Sequence, residues 1–171
     1  ETVRTADFCC KGGICANNLI TEVKSLETTE YEKINTNTKS NVGDLLKQAD
    51  SYFGKDYIKA SEYYEEIKKG NYDLDSDQQN YINYKLGITY YNIAQEQNSK
   101  EYAKKAVDLL KNIGGKYKEG AKYFSALSYI ILEEYDNAIN LLNSISEAEF
   151  KDYSDFYRGY AYELQGKLDK A

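Results

Sequence analysis

FSALSYIILEEYDNA (residues 124–138) and YRGYAYELQGKLDKA (157–171) are two stretches of this chain that align with each other without a gap. The matched pairs, each 33 positions apart, are Ala126 and Gly159, Tyr129 and Tyr162, and Ala138 and Ala171. Self-similarity at a fixed period of about 20–50 residues is typical of proteins built from stacked repeats. We therefore read these two stretches as successive copies of one structural unit.

Two earlier segments extend the pattern with changes in length. KQADSYFGKDYIKASEYYEEI (47–67) supplies one unit, and KLGITYY (85–91) opens another whose second helix contains AVDLL (106–110). The anchoring alanines, at intervals of 46, 32 and 33 residues, are Ala60, Ala106, Ala138 and Ala171. Because about seven extra residues are worth about two helical turns, the unit that begins near residue 85 is predicted to have elongated helices or a protruding loop.

Apolar residues at helical spacing predict a helix over residues 16–34, followed by a polar linker, NTNTKSN, at 35–41. The rest is predicted to be helical. The predicted breaks lie at residues 68–77, 98–100, 114–118 and 144–149. Ser76 and Ser146, each followed three positions later by Gln79 or Glu149, fit a capping box. Gly70, Gly114 and Gly115 are predicted helix stops, since glycine tolerates the left-handed conformation.

The repeated pattern resembles the tetratricopeptide repeat, a helix–turn–helix unit with small residues where its two helices cross. The resemblance covers about residues 43–171 and implies an all-α fold, a right-handed α-solenoid of about three and a half repeats. Gly87, Ala126 and Gly159 would lie in the first helices, facing the alanines of the second helices. The second helices would carry an apolar stripe made of Tyr64, Ile67, Leu110, Ile113, Leu142 and Ile145. The family's inter-repeat proline is missing from this sequence, which has none.

Two domains are predicted: a cysteine-containing tail with one helix and a linker at 1–41, and a repeat domain at 42–171. Ala171 matches the first small residue of a second helix, so we expect the last repeat to be truncated there and to continue outside this sequence. The alternative is a final helix that ends as a solvating cap. An unfinished repeat exposes an apolar edge, which predicts self-association through the truncated repeat.

In the family that this chain resembles, the first helices line a concave groove that binds partner peptides. Carried onto this sequence, the predicted groove residues are Tyr81, Tyr84, Tyr91, Tyr123, Leu127, Tyr153, Phe156 and Tyr160. Tyr84, Tyr123 and Phe156 share one register and would form an aromatic row suited to an interface. The alternative is that these rings fill gaps between helices and reflect a composition with 19 tyrosines. The nearby cations Lys85, Lys122 and Arg158 do not share a register, which disfavours a carboxylate clamp of the family's kind.

Composition excludes several classes of function. The net charge is −6 with 22 basic and 28 acidic residues, which disfavours binding to nucleic acid or to an anionic membrane. The longest apolar stretch, ALSYIIL at 126–132, is far shorter than the roughly 20 residues of a membrane span. There is no histidine, the usual general base and the commonest metal ligand. We therefore expect no enzymatic activity, no cofactor and no metal in this part of the protein.

The three cysteines, Cys9, Cys10 and Cys15, lie within CCKGGIC at 9–15. A structural zinc site needs four Cys or His ligands, so three cysteines without histidine fall short of one. Cys10 and Cys15 would close a small disulfide loop if the protein is exported, and otherwise the three residues are unpaired thiols in a tail. With no histidine in the sequence, these cysteines lack the usual general base that activates a nucleophile.

The sequence favours a non-enzymatic scaffold that binds a protein or peptide in an aromatic-lined groove. The alternative from a different class is a module of the cell envelope that binds glycans or cell-wall polymer with the same tyrosines. A third hypothesis places these residues inside a larger enzyme whose catalytic part lies elsewhere.

Overall fold

A computed structural model describes residues 26–166, which form eight α-helices and one short 3-10 helix without a β-strand. The helices are α1 (Thr28–Thr38), α2 (Val42–Tyr52), α3 (Tyr57–Lys69), α4 (Ser76–Gln97), α5 (Lys100–Leu110), α6 (Lys118–Ile131), α7 (Tyr135–Asn143) and α8 (Ala148–Leu164), with the 3-10 turn at Gly115–Tyr117. The predicted all-α class is confirmed for this part of the chain.

Each helix packs against the next one along the chain. In addition, α4 contacts α6 and α6 contacts α8, so alternate helices in this half of the chain lie side by side. One hydrophobic core receives side chains from all eight helices, from Tyr31 and Ile34 of α1 to Tyr157 and Ala161 of α8. Helix α1 is thus packed into the same core as the residues that follow the predicted linker.

The longest helix, α4, accounts for the stretched repeat interval. It has 22 residues, whereas α6, the corresponding helix of the next unit, has 14. The prediction of an elongated helix is therefore confirmed. Every residue from Tyr84 to Ala94 is buried, because α3, α5 and α6 all pack against α4. A helix that is buried all round belongs to the interior of the fold.

The four predicted helix breaks are present, but the structure also breaks at residues 53–56 and 132–134, which were predicted to be helical, and the first helix extends further than predicted. The predicted helix covers residues 16–34, of which 16–25 lie outside the described residues; α1 continues to Thr38, so half of the predicted linker is helical. The hydroxyl groups of Thr36 and Thr38 donate to the carbonyl oxygens of Glu32 and Ile34, at 3.0 and 2.7 Å. These side chains bond within the helix instead of competing with it.

The predicted capping boxes are wrong in detail. Asp75, not Ser76, caps α4: its carboxylate accepts from the backbone N–H of Gln78 at 2.8 Å, and the Gln78 side chain accepts from the Asp75 N–H at 3.0 Å. Ser146 caps no helix, because its hydroxyl and its backbone N–H both donate to the Glu119 carboxylate of α6, at 3.3 and 2.8 Å. The tertiary contact with α6 takes Ser146 away from the local cap.

Gly70 ends α3 as predicted, but Gly114 and Gly115 do not end α5, which stops at Leu110 with Lys111 as its C-cap, and Gly115 begins the 3-10 turn. Gly115 has φ +60°, in the left-handed region, but Gly70 closes α3 with φ −72° in an extended conformation. At Gly70 the reason for glycine is steric, since an added Cβ would lie 2.1 Å from the Tyr72 ring.

Small residues mark close approaches between helices. Ala60, Ala106, Ala126 and Ala138 are fully buried, whereas Ala171 lies outside the described residues. A Cβ added at Gly87 of α4 would lie 2.5 Å from the Leu110 side chain of α5, so glycine makes room for that leucine. The predicted apolar stripe is buried throughout, although Ile113 and Ile145 lie just beyond the ends of α5 and α7.

A close backbone approach joins α1 to α2 at Gly43. A Cβ added there would lie 2.1 Å from the carbonyl oxygen of Tyr31. Gly43→Ala is therefore expected to lower the free energy of unfolding by about 1–3 kcal/mol, as overpacking does. In an open helix position the same change stabilises by about 1 kcal/mol, so the sign of the effect is diagnostic. Urea unfolding followed by circular dichroism measures it.

Gly114→Ala is the matched control for this prediction. No atom lies within 4 Å of a Cβ built at Gly114, and its φ is −114°, which any residue adopts. This variant is expected to be neutral or slightly more stable than the parent. Equal effects at the two positions would contradict the close approach of α1 and α2.

Candidate functional site

A buried polar cluster joins the first four helices. Asp50 of α2 accepts hydrogen bonds from three tyrosine hydroxyls and pairs with Lys85 of α4, with 3.6 Å between Lys85 Nζ and Asp50 Oδ1. The donors and their distances are Tyr31 at 2.5 Å, Tyr64 at 2.5 Å and Tyr81 at 2.6 Å. We refer to these five residues as the Asp50 cluster. It ties α1, α2, α3 and α4 to one carboxylate.

Electrostatics in the Asp50 cluster follow from its burial. The Lys85 side chain has no exposed surface, and its Nζ lies 3.7 Å from the centre of the Phe53 ring, a cation–π contact. Burial lowers the pKa of Lys85, and the Asp50 carboxylate opposes that change. Burial, followed by the nearby Asp50 charge, raises the pKa values of Tyr64 and Tyr81 well above that of free tyrosine.

The Asp50 cluster contains residue types that are common in active sites, but a substrate cannot reach them. Catalysis requires the reacting groups to come within hydrogen-bond reach of a substrate. Lys85 is fully buried and Asp50 is 7 % exposed, so a substrate has no path to either. The cluster therefore holds helices together. Lys85, considered in the sequence as a cation near the groove, lies in the core.

One feature of the sequence predicts the Asp50 cluster, although the repeat pattern does not: a carboxylate lies on an apolar helix face. Asp50 follows Val42, Leu46 and Ala49 at the spacing of one helix face, and all three of those residues are buried. A carboxylate on an otherwise apolar face predicts a buried partner. Residues near Asp50 in the sequence do not reveal that partner, because Lys85 lies on a different helix.

Five of the eight predicted groove residues lie in the core. These are Tyr81, Tyr84, Tyr91, Tyr123 and Leu127, each at most 5 % exposed. The predicted aromatic row is not a continuous surface either: Tyr84 stacks on Tyr117 at 5.2 Å, and Tyr123 packs against Phe150 at 5.6 Å. These rings fill gaps between helices, which is the alternative to an aromatic groove that the sequence left open. They offer a partner no exposed surface in this conformation.

A shared register failed to predict exposure because the helices differ in their surroundings. Tyr84 lies on α4, which neighbours cover on all sides, and its hydroxyl reaches Gly120 of α6, where an added Cβ would lie 2.1 Å away. Phe156 lies on α8 and is 44 % exposed. Position along a helix therefore sets the direction of a side chain, and the neighbouring helices decide whether it is covered.

The remaining three predicted residues lie at the surface of α8. Phe156 is exposed, Tyr153 and Tyr160 are half-buried, and their spacing of three and four residues aligns them along one side of the helix. Together with Leu164, which is 42 % exposed, they form what we call the α8 stripe. Phe156 contacts Tyr157 edge to face, with ring centres 5.2 Å apart.

The α8 stripe leads into a seam between alternate helices. A shallow depression of about 20 Å³ is lined by residues of α4, α6 and α8, among them Tyr91, Leu127 and Tyr160. The structure thus brings together one predicted groove residue from each of these three helices. Small-molecule pockets have volumes of about 300–1,000 Å³. This depression is far smaller, so it is part of a surface and not a ligand pocket.

The other cations considered in the sequence form ion pairs. Lys122 Nζ lies 2.6 Å from a Glu119 oxygen and 3.0 Å from the Ser144 carbonyl oxygen. Arg158 pairs with Asp155 at 2.9 Å and also donates to Asn143 at 3.2 Å. They lie on α6 and α8 and do not converge with Lys85.

Residues 26–166 contain neither a metal-binding cluster nor a membrane-spanning helix. This range holds no group of three or more Cys, Asp or Glu side chains placed to share a metal ion. None of its helices combines the length and the apolar composition of a bilayer-spanning segment. Cys9, Cys10 and Cys15 lie outside the described residues.

The chain matches no protein-family model, no curated protein and no solved structure.

Proposed function

We propose that this chain is a non-enzymatic scaffold of tetratricopeptide-like helical hairpins that binds a segment of another protein along the α8 stripe. The arrangement of helices supports the repeat architecture. The hairpins α2–α3, α4–α5 and α6–α7 each pack internally, and their first helices also contact from α4 to α6. Helix α8 contacts α6 in the same way and would open the next unit. Such a row of first helices is the surface that solenoids use for binding.

One observation carries the proposed binding surface: the seam where Tyr91, Leu127 and Tyr160 meet continues into the exposed part of the α8 stripe. At the seam Tyr160 is the half-buried member, and the buried Tyr91 and Leu127 support it from below. Phe156 and Leu164 supply the exposed apolar area beside it. Large exposed hydrophobic side chains that lie together mark interaction surfaces in soluble domains. Aromatic residues in such a place are typical anchors of a protein interface.

Charge around the stripe indicates the chemistry of the partner. Helix α8 carries the acidic residues Glu149, Asp152, Asp155 and Glu163 against the basic residues Lys151 and Arg158. The whole chain has a net charge of −6. A segment with an apolar face and basic flanks complements this surface in both respects. We therefore propose an amphipathic basic segment as the partner.

Selection of peptides from a phage-displayed library of random sequences tests this proposal. Selected peptides are expected to combine Lys or Arg with aliphatic or aromatic residues. One such peptide, synthesised and titrated by calorimetry, is expected to bind Phe156→Ala at least about tenfold more weakly than the parent, as loss of an aromatic anchor costs about 2 kcal/mol or more. Far-ultraviolet circular dichroism checks that the variant is folded.

Ile58→Ala is the matched control, because Ile58 is 39 % exposed on α3, away from the stripe. It is expected to leave the affinity unchanged. Equal loss in both variants, or no enrichment of basic peptides, would contradict the proposal. Binding to a glycan array that Phe156→Ala abolishes would favour the glycan-binding alternative instead. If the sedimentation coefficient rises with protein concentration in the parent but not in Phe156→Ala, the α8 stripe binds a second copy of the chain.

A further inference from the structure

A second cleft lies between the end of α3, the following loop and the start of α4. It has a volume of about 190 Å³ and is open to solvent on one side. Its apolar walls come from Ile67, Tyr72, Leu74 and Ile82. Sequence reasoning assigned this segment only the role of a helix break.

Gly70 shapes one wall of this cleft. A Cβ at Gly70 would lie 2.1 Å from the nearest atom of the Tyr72 ring, so the missing side chain lets the ring lie against the end of α3. The loop residue Leu74 is held by the Gln79 side chain, whose Nε2 donates to the Leu74 carbonyl oxygen at 2.7 Å. Tyr72 and Leu74, which form two walls of the cleft, are therefore held in place without a ligand.

Lys68 and Asn83 bring hydrogen-bond donors to the cleft, beside the Gln79 side chain, whose Oε1 is an acceptor. Lys68 Nζ donates to Asn83 Oδ1 at 2.5 Å, which leaves two further N–H groups on the ammonium. Since the Asn83 oxygen accepts from Lys68, its NH₂ group is directed to the other side of the carboxamide. Ammonium and amide donors beside one another suit an anionic acceptor.

Among the side chains that line the cleft the charge favours an anion, whereas the exposed Asp73 and Asp75 of the same loop do not line it. Of the eight described residues that line the cleft, Lys68 is the one with a charged side chain. Burial lowers the pKa of Lys68, because the ammonium group is partly removed from water. A bound carboxylate would replace the lost hydration with a charge-assisted hydrogen bond.

We infer that this cleft, which we call the Lys68 cleft, binds a carboxylate carried on a small apolar body. The carboxylate contacts Lys68 and Asn83, and the apolar body lies between Tyr72, Leu74 and Ile82. The volume is below the range of about 300–1,000 Å³ that drug-sized ligands and cofactors occupy, so the ligand is about the size of one amino-acid residue. Both a free carboxylic acid and the C-terminal residue of a peptide carry this chemistry.

Titration with N-acetyl-leucine, followed by ¹⁵N–¹H NMR, tests the Lys68 cleft. The expected result is a saturable shift of the Asn83 side-chain amide and the Gly70 backbone amide. N-acetyl-leucinamide has the same apolar body without the charge and is expected to leave both signals in place. A hexapeptide that ends in leucine with a free carboxylate distinguishes the two sources: tighter binding than N-acetyl-leucine indicates a peptide terminus, and equal or weaker binding a free acid.

Lys68→Gln is expected to weaken binding of N-acetyl-leucine at least about tenfold, the range of a charged hydrogen bond. Lys69→Gln is the matched control, since it removes the same charge one residue later, where the side chain is 78 % exposed and pairs with Glu65. It is expected to bind like the parent. Equal affinity of Lys68→Gln and Lys69→Gln, or equal shifts with the acid and the amide, would overturn the inference. This result is separate from the phage selection, which concerns α8.

Discussion

Asp50→Leu is expected to lower the free energy of unfolding by about 3–5 kcal/mol, the range measured when one partner of a buried ion pair is removed. The Lys85 ammonium would be left in the core without its carboxylate, and the hydroxyls of Tyr31, Tyr64 and Tyr81 would each lose their acceptor. Domains of this size are stable by about 5–15 kcal/mol, so the variant loses a large share of its stability. Urea unfolding at neutral pH, followed by circular dichroism, measures the change.

Asp44→Leu is the matched control for Asp50→Leu. Asp44 lies on the same helix, α2, but its side chain is exposed. The change is expected to stay within about 0.5 kcal/mol, as for most surface substitutions. Equal destabilisation by the two variants would show that the carboxylate of Asp50 has no special role.

The double variant Asp50→Leu/Lys85→Met separates the ion pair from the rest of the cluster. Removing both charges avoids an unpaired ion in the core, and apolar replacements of buried pairs are often neutral or stabilising. We expect the double variant to be more stable than Asp50→Leu alone. Simple addition of the two single effects would contradict a direct interaction between Asp50 and Lys85.

Alkaline solution is expected to unfold the protein steeply above about pH 10, where free tyrosine begins to lose its proton. Burial raises the pKa values of Tyr64, Tyr81 and Tyr84 above that of the unfolded chain. Their stabilising effect is thus fully present below about pH 10 and is lost as the pH rises further. Each tyrosine that stays protonated only in the folded state lowers the stability by about 1.4 kcal/mol per pH unit, so three lower it by about 4.

Lys85 acts in the opposite direction over a lower range. Its folded pKa is lowered by burial, so stability rises with pH until the unfolded lysine has lost its proton near pH 10.4. Above that pH the tyrosines alone set the slope among these groups. The expected profile is therefore a rise or plateau on the approach to pH 10, followed by a steep fall.

Urea unfolding at a series of pH values measures this profile, with tyrosinate absorbance near 295 nm as the second signal. Tyr84→Phe is the useful variant, because burial is the main cause of the raised Tyr84 pKa and Asp50 takes no part in it. Its alkaline slope is expected to be smaller by about 1.4 kcal/mol per pH unit. Stability that stays constant up to pH 11 would contradict the burial of these tyrosines.

Local sequence signals predicted the helices well. Glycine and polar residues located the breaks near residues 68–77, 98–100, 114–118 and 144–149, but not those at 53–56 and 132–134. The interval between small residues predicted the elongated α4, and the apolar spacing predicted the buried stripe. Two local patterns were misjudged. Ser146 bonds to Glu119 of α6 instead of capping α8, and Thr36 and Thr38 lie within α1, where their hydroxyls donate to carbonyl groups of the same helix. A capping motif is a weak preference of about 1 kcal/mol, which one tertiary hydrogen bond can offset.

The candidate surface was less predictable than the helices. A register shared by Tyr84, Tyr123 and Phe156 placed all three on corresponding sides of their helices, but only Phe156 is exposed. The Lys68 cleft had no sequence signal at all, because Lys68 and Asn83 read as ordinary polar surface residues of two helices. Their juxtaposition arises from the packing of α3 on α4.

The sequence by itself determined the α-helical class, the spacing of the helices and the residues that pack them, since these depend on neighbours within about one or two turns. Only the tertiary structure decided which tyrosines are covered, that Asp50 finds Lys85 and three hydroxyls, and where a cleft stays open. The physical reason is that burial and pairing depend on contacts between residues far apart in the chain. Tyr31 and Tyr81, which lie 19 and 31 residues from Asp50, share its carboxylate because four helices meet there.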